Sequence, residues 1–346
     1  MKKLSAVFFV VVFLLALPFT VSAQMGKGKN IKVACYLNGN LGDLSFWDSA
    51  ARGFDRAQKE IGFTGKLIEG GFDPANWEPD ITELSNQDWD LIITGSWQVQ
   101  ELVQKIAPQH PDKTYVIFDS TVDYKKGNLG NVYSILYKQN ECSFLVGALA
   151  AMISESNMDR ANQQKIIGFN GNMNIPVLND FRVGYEQGAH YVDPQMKVLV
   201  AWVGSFSDVA KTKESALALA DQGADVIFNA ANSTALIDVV KEKKVYAIGV
   251  DSDVASLFKA KDPDNAKYIV ESALKKVDNS IYRTIKLFSE GKLPVGKAET
   301  LGVKEDGVGI TRNEFYKQIV PAPIQKKMDE LVDKIEKGEI KVDTVF

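Results

Sequence analysis

IKVACYLNGNLGDLSFWDSAARGFDRA, residues 31–57, decides the fold class of this chain. The apolar run at 31–36 lacks helical spacing, which predicts a strand covered on both faces. Polar residues and glycines stop the run, and apolar residues then recur at spacings of three and four. This spacing predicts a helix that Asp43 or Ser45 can cap. In α/β proteins built from such units, ligands bind at the carboxyl ends of the strands.

The loop after this strand has the composition of a binding loop. Two aromatic residues, Phe46 and Trp47, follow Asp43 closely. This mixture suits a flat polar ligand better than a phosphate, which favours more glycine and a basic residue. A well-capped strand-to-helix turn with Phe46 packed in the core explains this segment alone equally well.

Strand and helix patterns alternate along most of the chain. One series has strands at 66–70, 91–94, 115–118 and 131–135, and a second has strands at 165–169, 197–203, 226–228 and 246–250. Two such series predict two similar lobes with mainly parallel sheets and right-handed crossovers. An Ala- and Leu-rich helix at 141–154 contains Gly147, which favours close helix packing. The rest of the chain predicts a long amphipathic helix at 271–287, short strands within 300–310 and a charged helix at 321–336.

The N-terminus has the pattern of a secretory signal. Lys2 and Lys3 precede an apolar run at 6–17, and small residues at 21–23 predict cleavage after Ala23. The run is too short for a membrane span. No cysteine lies near the cleavage point, so no lipid anchor is expected there. The mature protein is therefore expected to be soluble and periplasmic or secreted.

Composition excludes several classes of protein. The net charge is −4 with acids and bases interspersed, so no basic stripe suggests a nucleic-acid partner. The two cysteines, Cys35 and Cys142, are expected to be buried free thiols. His110 and His190 have no metal-ligand spacing, and no P-loop, dinucleotide fingerprint or nucleophile elbow is present. The sequence therefore predicts no metal, no cofactor and no enzymatic activity.

Polar residues follow several of the predicted strands. Asp119 and Asp251 each come directly after one, and facing α/β lobes would bring such ends into one cleft. Carboxylates there can accept paired hydrogen bonds from vicinal hydroxyls or ring N–H groups. A single aspartate at such a position is more often a cap or turn residue. A secreted hydrolase that uses Asp119 and Asp251 remains an alternative.

From residue 30 to 288 the chain resembles the basic membrane protein family of solute-binding proteins, which includes purine nucleoside receptors. The motifs that carry the resemblance are VACYLNGNLGDLSFWDSAARGF, DLIITGSWQVQELVQKIAPQHPDKTYVIFDS, NECSFLVGALAAM, FRVGYEQGA, VGSFSDVAKTKESALALADQGADVIFNAAN, AIGVDSD and ESALKKVD. The resemblance implies a type I periplasmic binding protein fold, with two doubly wound parallel-sheet lobes, three crossovers, a hinge and an interlobe cleft.

The resemblance also implies a function and partners. The chain is expected to be an extracytoplasmic, monomeric receptor that delivers a purine nucleoside or related small polar solute to the permease of an ABC importer. A sensor that presents its ligand to a membrane receptor is the alternative within the same fold.

Family motifs also assign roles to particular residues. Phe46 and Phe206 resemble the pair that sandwiches the base, where stacking contributes about 1–3 kcal/mol per base. Asp119, Asp251 and Lys275 resemble the groups that hold base and ribose, with Asp251 and Lys275 on the ribose hydroxyls. Without the resemblance, Lys275 would be read as a solvated lysine on an amphipathic helix.

Some positions depart from the family pattern. Asn38 stands where an aspartate is usual, Trp47 replaces an asparagine, and Asn232 replaces a glycine. Asn170 lies in a segment where a glycine pair is usual. An amide donates as well as accepts, unlike a carboxylate, and the larger side chains add bulk near the ligand. These departures predict an altered base preference.

The lobe boundaries follow from the two series of strands. The first lobe is predicted to hold residues 30–138 and 252–288. The second is predicted to hold residues 139–251 and 289–346.

Overall fold

The computed structural model describes residues 30–346, so the predicted signal peptide at 1–23 lies outside the described residues. The strands are β1 (Lys32–Leu37), β2 (Thr64–Glu69), β3 (Leu91–Gly95), β4 (Thr114–Phe118), β5 (Val132–Tyr137), β6 (Ile166–Gly171), β7 (Lys197–Trp202), β8 (Val226–Ala230), β9 (Tyr246–Val250), β10 (Ile269–Lys275), β11 (Lys297–Leu301) and β12 (Val308–Ile310). The helices are α1 (Phe46–Ile61), α2 (Pro74–Asn86), α3 (Gln100–Ile106), α4 (Gln139–Ser154), α5 (Pro176–Val192), α6 (Val209–Asp221), α7 (Leu236–Lys243), α8 (Val254–Phe258), α9 (Pro263–Ala266), α10 (Val277–Ser289), α11 (Glu314–Ile319) and α12 (Ala322–Glu336). Within this described range, no helix is both long and apolar enough to cross a membrane.

The strands form two six-stranded sheets of matching order. The first sheet, which defines the first lobe, runs β11-β5-β4-β3-β1-β2, and the sheet of the second lobe runs β12-β10-β9-β8-β6-β7. Neighbouring strands are parallel except for β10 and β12, which are antiparallel. Parallel strands need helical crossovers, and these cover both faces, so the central strands are almost wholly buried. The predicted pair of doubly wound lobes is confirmed.

The chain passes between the lobes three times. It leaves the first sheet after β5, returns between β10 and β11, and leaves again between β11 and β12. The expected three crossovers are therefore present.

The predicted lobe boundaries are wrong in two places after residue 251. Residues 269–275, predicted for the first lobe, belong to the second sheet, and residues 297–301, predicted for the second lobe, belong to the first sheet. β10 pairs with β9 in the second sheet, whereas α10 packs against α1 of the first lobe and β11 pairs with β5 in the first sheet. The predicted helix at 271–287 is correspondingly wrong over its first five residues, which belong to β10. The sequence pattern was misleading here because Glu271 is a charged residue inside a buried strand. Its carboxylate accepts hydrogen bonds from the amide N–H groups of Ser272 and Thr311, which compensate for its burial.

Glycines allow α4 and α5 to pack at close range in the second lobe. A Cβ added to Gly147 would lie 2.1 Å from the carbonyl oxygen of Tyr185, and one at Gly188 would lie 2.0 Å from that of Phe144. Neither distance is possible for a real side chain, so these positions require glycine. The close packing predicted for Gly147 is confirmed, and it fixes α5, which faces the cleft.

Both cysteines are free and buried, as predicted. Cys35 lies in β1 of the first lobe and Cys142 in α4. Burial raises the pKa of each thiol well above its usual range, which keeps both protonated and unreactive.

Candidate ligand-binding site

A cavity of about 120 Å³ lies between the lobes at the carboxyl ends of the central strands. Eight of the nine residues predicted for the site line it: Asp43, Phe46, Trp47, Asp119, Phe206, Asn232, Asp251 and Lys275. A larger cavity of about 960 Å³ adjoins it and shares four lining residues, Trp97, Asp119, Ile175 and Val177. The fold thus brings together strand ends that are far apart in the sequence.

Aromatic side chains from both lobes line the cavity. Phe46 comes from the start of α1 in the first lobe and Phe206 from the loop after β7 in the second. Trp47 also lines the cavity, but the residue is only 6% exposed, and its ring packs against Gly39 and Phe118. Its centroid lies 4.8 Å from that of Phe46 in an edge-on contact, so Trp47 supports Phe46 from behind.

An ion pair joins the lobes across the cavity. Lys275 Nζ, at the end of β10, lies 2.8 Å from Asp119 Oδ1, just after β4, and these side chains are only 4% and 11% exposed. The ammonium also lies 5.5 Å from the ring centroid of Phe46 and 5.2 Å from that of Phe181. Burial raises the pKa of Asp119, and Lys275 opposes that rise. The alternative of a solvated Lys275 on a helix is wrong, because the side chain is buried at the end of a strand.

Asp251 forms a second polar contact between the lobes. Its Oδ2 accepts a hydrogen bond of 2.7 Å from Ser45 Oγ of the first lobe. Burial raises the pKa of Asp251 to about 6, against the opposing effects of the nearby Lys275 charge and the Ser45 hydrogen bond. The neighbouring carboxylates of Asp119 and Asp43 raise it further. The site therefore gathers more carboxylates than cations, which favours ligands with several hydrogen-bond donors.

Asp43 lines the cavity but uses its oxygens on the local backbone. The carboxylate accepts the amide N–H groups of Ser45, Trp47 and Asp48 at 2.9–3.2 Å. These are the first amides of α1 and of the turn before it, so Asp43 caps the helix as predicted. Its main effect on the site is to fix the loop before α1 and, with it, the position of Phe46.

The asparagines predicted to alter the ligand preference differ in position. Asn232 lines the cavity, and its Oδ1 caps the following turn at the amide of Thr234. Asn38 is not one of the lining residues, because its Nδ2 is turned toward Ser96 Oγ at 2.9 Å. Asn170 makes hydrogen bonds with its own lobe and is fully buried.

Three residues that line the cavity have strained backbone conformations. Ser96, Asp119 and Asp251, which follow β3, β4 and β9, have φ values of 69°, 58° and 63°. Leu44, in the loop before α1, has a φ of 54°. Non-glycine residues rarely adopt this conformation, and where they do the site is often functional.

Several lining residues were not predicted. Ser45 was recognised only as a possible helix cap, although it contacts Asp251. Asn172, at the end of β6, has a buried Oδ1 with no hydrogen-bond partner among the described residues, which marks it as available to a ligand. Phe181 lies on α5 and carried no sequence signal, since an apolar residue in an amphipathic helix normally packs in the core.

Comparison with known proteins places the chain in one group of relatives. It is 29% identical over 344 residues to basic membrane protein D of Borreliella burgdorferi, covering 98% of this chain and 95% of that protein. It is 29% identical over 331 residues to the Lactococcus lactis protein named ABC transporter nucleoside-binding protein BmpA, covering 91% of both. A Pyrococcus horikoshii protein named as a lipoprotein is 31% identical over 332 residues, covering 91% of this chain and 76% of that protein.

Solved structures agree with the architecture. An ABC transporter solute-binding protein from Aeropyrum pernix K1 superposes with a TM-score of 0.78 at 26% identity, covering 90% of this chain and 92% of that one. A second, from Conexibacter woesei, has a TM-score of 0.73 at 21% identity, covering 91% and 99%. The predicted type I periplasmic binding protein fold is confirmed. Residues 30–343 match the family described as Bmp, ABC transporter substrate-binding protein PnrA-like, and the chain belongs to that family.

Proposed function

We propose that this protein is an extracytoplasmic receptor that binds a purine nucleoside and delivers it to the permease of an ABC importer. The observation that carries the proposal is one interlobe cavity with Phe46 and Phe206 on opposite lobes and Asp251 beside them. The relative from Lactococcus lactis is named a nucleoside-binding protein, which supports the same ligand class.

Each part of a nucleoside has a matching group in the site. The flat base is proposed to stack between Phe46 and Phe206, because every base presents two π faces. The ribose hydroxyls are proposed to donate to Asp251 and accept from Lys275. Asp119 and the unpaired oxygen of Asn172 are proposed to accept from the base edge.

Binding requires the lobes to separate and close again. The cavity volume of about 120 Å³ is below the ~300 Å³ at which small-molecule pockets usually begin. The Lys275–Asp119 and Ser45–Asp251 contacts hold the lobes together and occupy the groups proposed to bind the ligand. Hinge opening frees these groups, and the ligand's hydroxyl and ring N–H groups then replace the contacts between them.

The protein is a solute-binding protein and not an enzyme, as its family shows.

Mass spectrometry of the solute that co-purifies with the protein tests the proposal. A purine nucleoside released from the denatured protein, and depleted in the Asp251→Ala variant purified in parallel, is the expected result. Incubation with the same nucleoside should leave it intact. Release of free base with turnover, or co-purification of a different solute class, would contradict the proposal.

The affinity is expected to fall in acid. The pKa of Asp251 is about 6, so the carboxylate gains a proton as the pH falls through this value. A neutral carboxylic acid accepts hydrogen bonds poorly, so the Kd for guanosine should rise by up to about tenfold per pH unit below 6. Calorimetry between pH 7.5 and pH 5 measures this rise. Asp251→Asn, which cannot titrate, provides the control and should show a flatter profile. A wild-type Kd that stays constant over this range would contradict the role of Asp251.

A further inference from the structure

The loop before α1 is held in one conformation by two carboxylates. Asp48 accepts the amide N–H groups of Gly42 and Leu44 at 2.8 and 2.9 Å, while Asp43 accepts that of Ser45 at 2.9 Å. The backbone of Leu44 has a φ of 54°, which leucine seldom adopts. These bonds hold the strained residue in place and direct its side chain.

The Leu44 side chain crosses from the first lobe to the second. It packs against an apolar cluster formed entirely by second-lobe residues, here called the second-lobe cluster: Leu236, Val240, Ala247, Val254, Ala255, Phe258, Ala266, Ile269 and Phe315. Leu44 is only partly buried there and is not among the residues that line the interlobe cavity. It therefore touches the opposite lobe at a place where a solute in the cavity would not.

Polar contacts flank this apolar contact and involve the same two segments. Ser252 Oγ donates to the carbonyl oxygen of Ser45 at 3.3 Å, and Arg52 donates to Ser252 Oγ at 2.8 Å. The start of α1 in the first lobe thus contacts the segment that follows β9 in the second lobe. Ser45 and Ser252 are buried, but their groups can bond to water when the lobes separate, so these hydrogen bonds contribute little net free energy. The burial of Leu44 has no such compensation and is a main favourable contribution here.

We propose that Leu44 is the residue that sets the closing equilibrium of the lobes, independently of contact with the ligand. Its apolar surface is buried against the second-lobe cluster only when the lobes are together. A group that interacts with the closed form alone shifts the equilibrium toward that form and tightens the binding of any solute that closes it. The proposal uses the hinge motion of the proposed function but does not depend on the ligand being a nucleoside.

Spin labels on the two lobes test the proposal without any ligand. Lys66→Cys in β2 and Lys197→Cys in β7 place labels at exposed positions on opposite lobes, and both native cysteines are buried and will not react. Double electron–electron resonance then reports the distribution of distances between the lobes. Leu44→Ala is expected to move this distribution toward longer distances. Leu41→Ala is the matched control, because Leu41 lies in the same loop and is 38% exposed.

The outcomes separate this proposal from the proposed function. Leu44→Met, which restores apolar volume, should return the distances toward those of the wild type, and all variants should keep the circular dichroism spectrum of the wild type. If guanosine binds the wild type, its Kd should rise about fivefold in Leu44→Ala and stay unchanged in Leu41→Ala. If no nucleoside binds, the proposed function fails and the distances still decide the role of Leu44. Equal distance distributions in Leu44→Ala and Leu41→Ala would overturn the proposed role of Leu44.

Discussion

Replacing Lys275 by methionine is expected to lower the free energy of unfolding by about 3–5 kcal/mol and to abolish ligand binding. Lys275 is 4% exposed and forms an ion pair with Asp119, which is 11% exposed. Without the ammonium, Asp119 retains a charge in a buried site or must take up a proton, and both cost free energy. Urea unfolding at pH 7.5 measures the loss of stability.

The double variant Lys275→Met with Asp119→Asn provides the control. It removes both charges, so most of the lost stability should return, whereas binding should not. The single variant should also regain stability as the pH falls, because Asp119 is then neutral in the folded protein. A Lys275→Met variant that unfolds at the same urea concentration as the wild type would show that the ion pair contributes nothing.

Asp251→Ala is expected to weaken nucleoside binding by about 2 kcal/mol or more, roughly a 30-fold rise in Kd. The carboxylate faces the cavity, and without it the ligand hydroxyls lack a charged acceptor in the closed site. Asp253→Ala is the matched control, since this carboxylate lies two residues further along and caps α8 outside the cavity. Calorimetry on both variants measures the difference. A change in Kd of less than about threefold for Asp251→Ala would contradict the assignment.

Most strands and helices were predictable because their local apolar patterns match the parallel-sheet lobes that they form. Apolar runs of four to six residues that alternate with helical patterns are typical of parallel sheets covered on both faces. The exception is β10, where Glu271 and Lys275 gave the segment a helical charge pattern. Both charges are satisfied by partners distant in sequence, Thr311 and Asp119, which no local pattern reveals.

The site was predictable where strand ends carry polar or aromatic residues, and less so elsewhere. Asp119 and Asp251 follow buried strands directly, so parallel topology alone brings them to one cleft. Trp47 follows Phe46 in sequence, yet helical geometry turns the two rings differently, and Trp47 packs on Gly39. Leu44 resembles any loop leucine, because the apolar cluster that its side chain packs against belongs to the other lobe.

Isothermal titration calorimetry with a panel of solutes tests the central claim most directly. The panel comprises adenosine, guanosine, inosine and their free bases, with ribose, arabinose and glucose as sugars that share the hydroxyls but lack a base. The purified protein is first unfolded and refolded to remove any solute it carries. Binding of at least one purine nucleoside well below millimolar concentration, with no binding of the sugars, is the predicted result. Failure of every nucleoside and base to bind below millimolar concentration, together with tight binding of a sugar or another solute class, would contradict it.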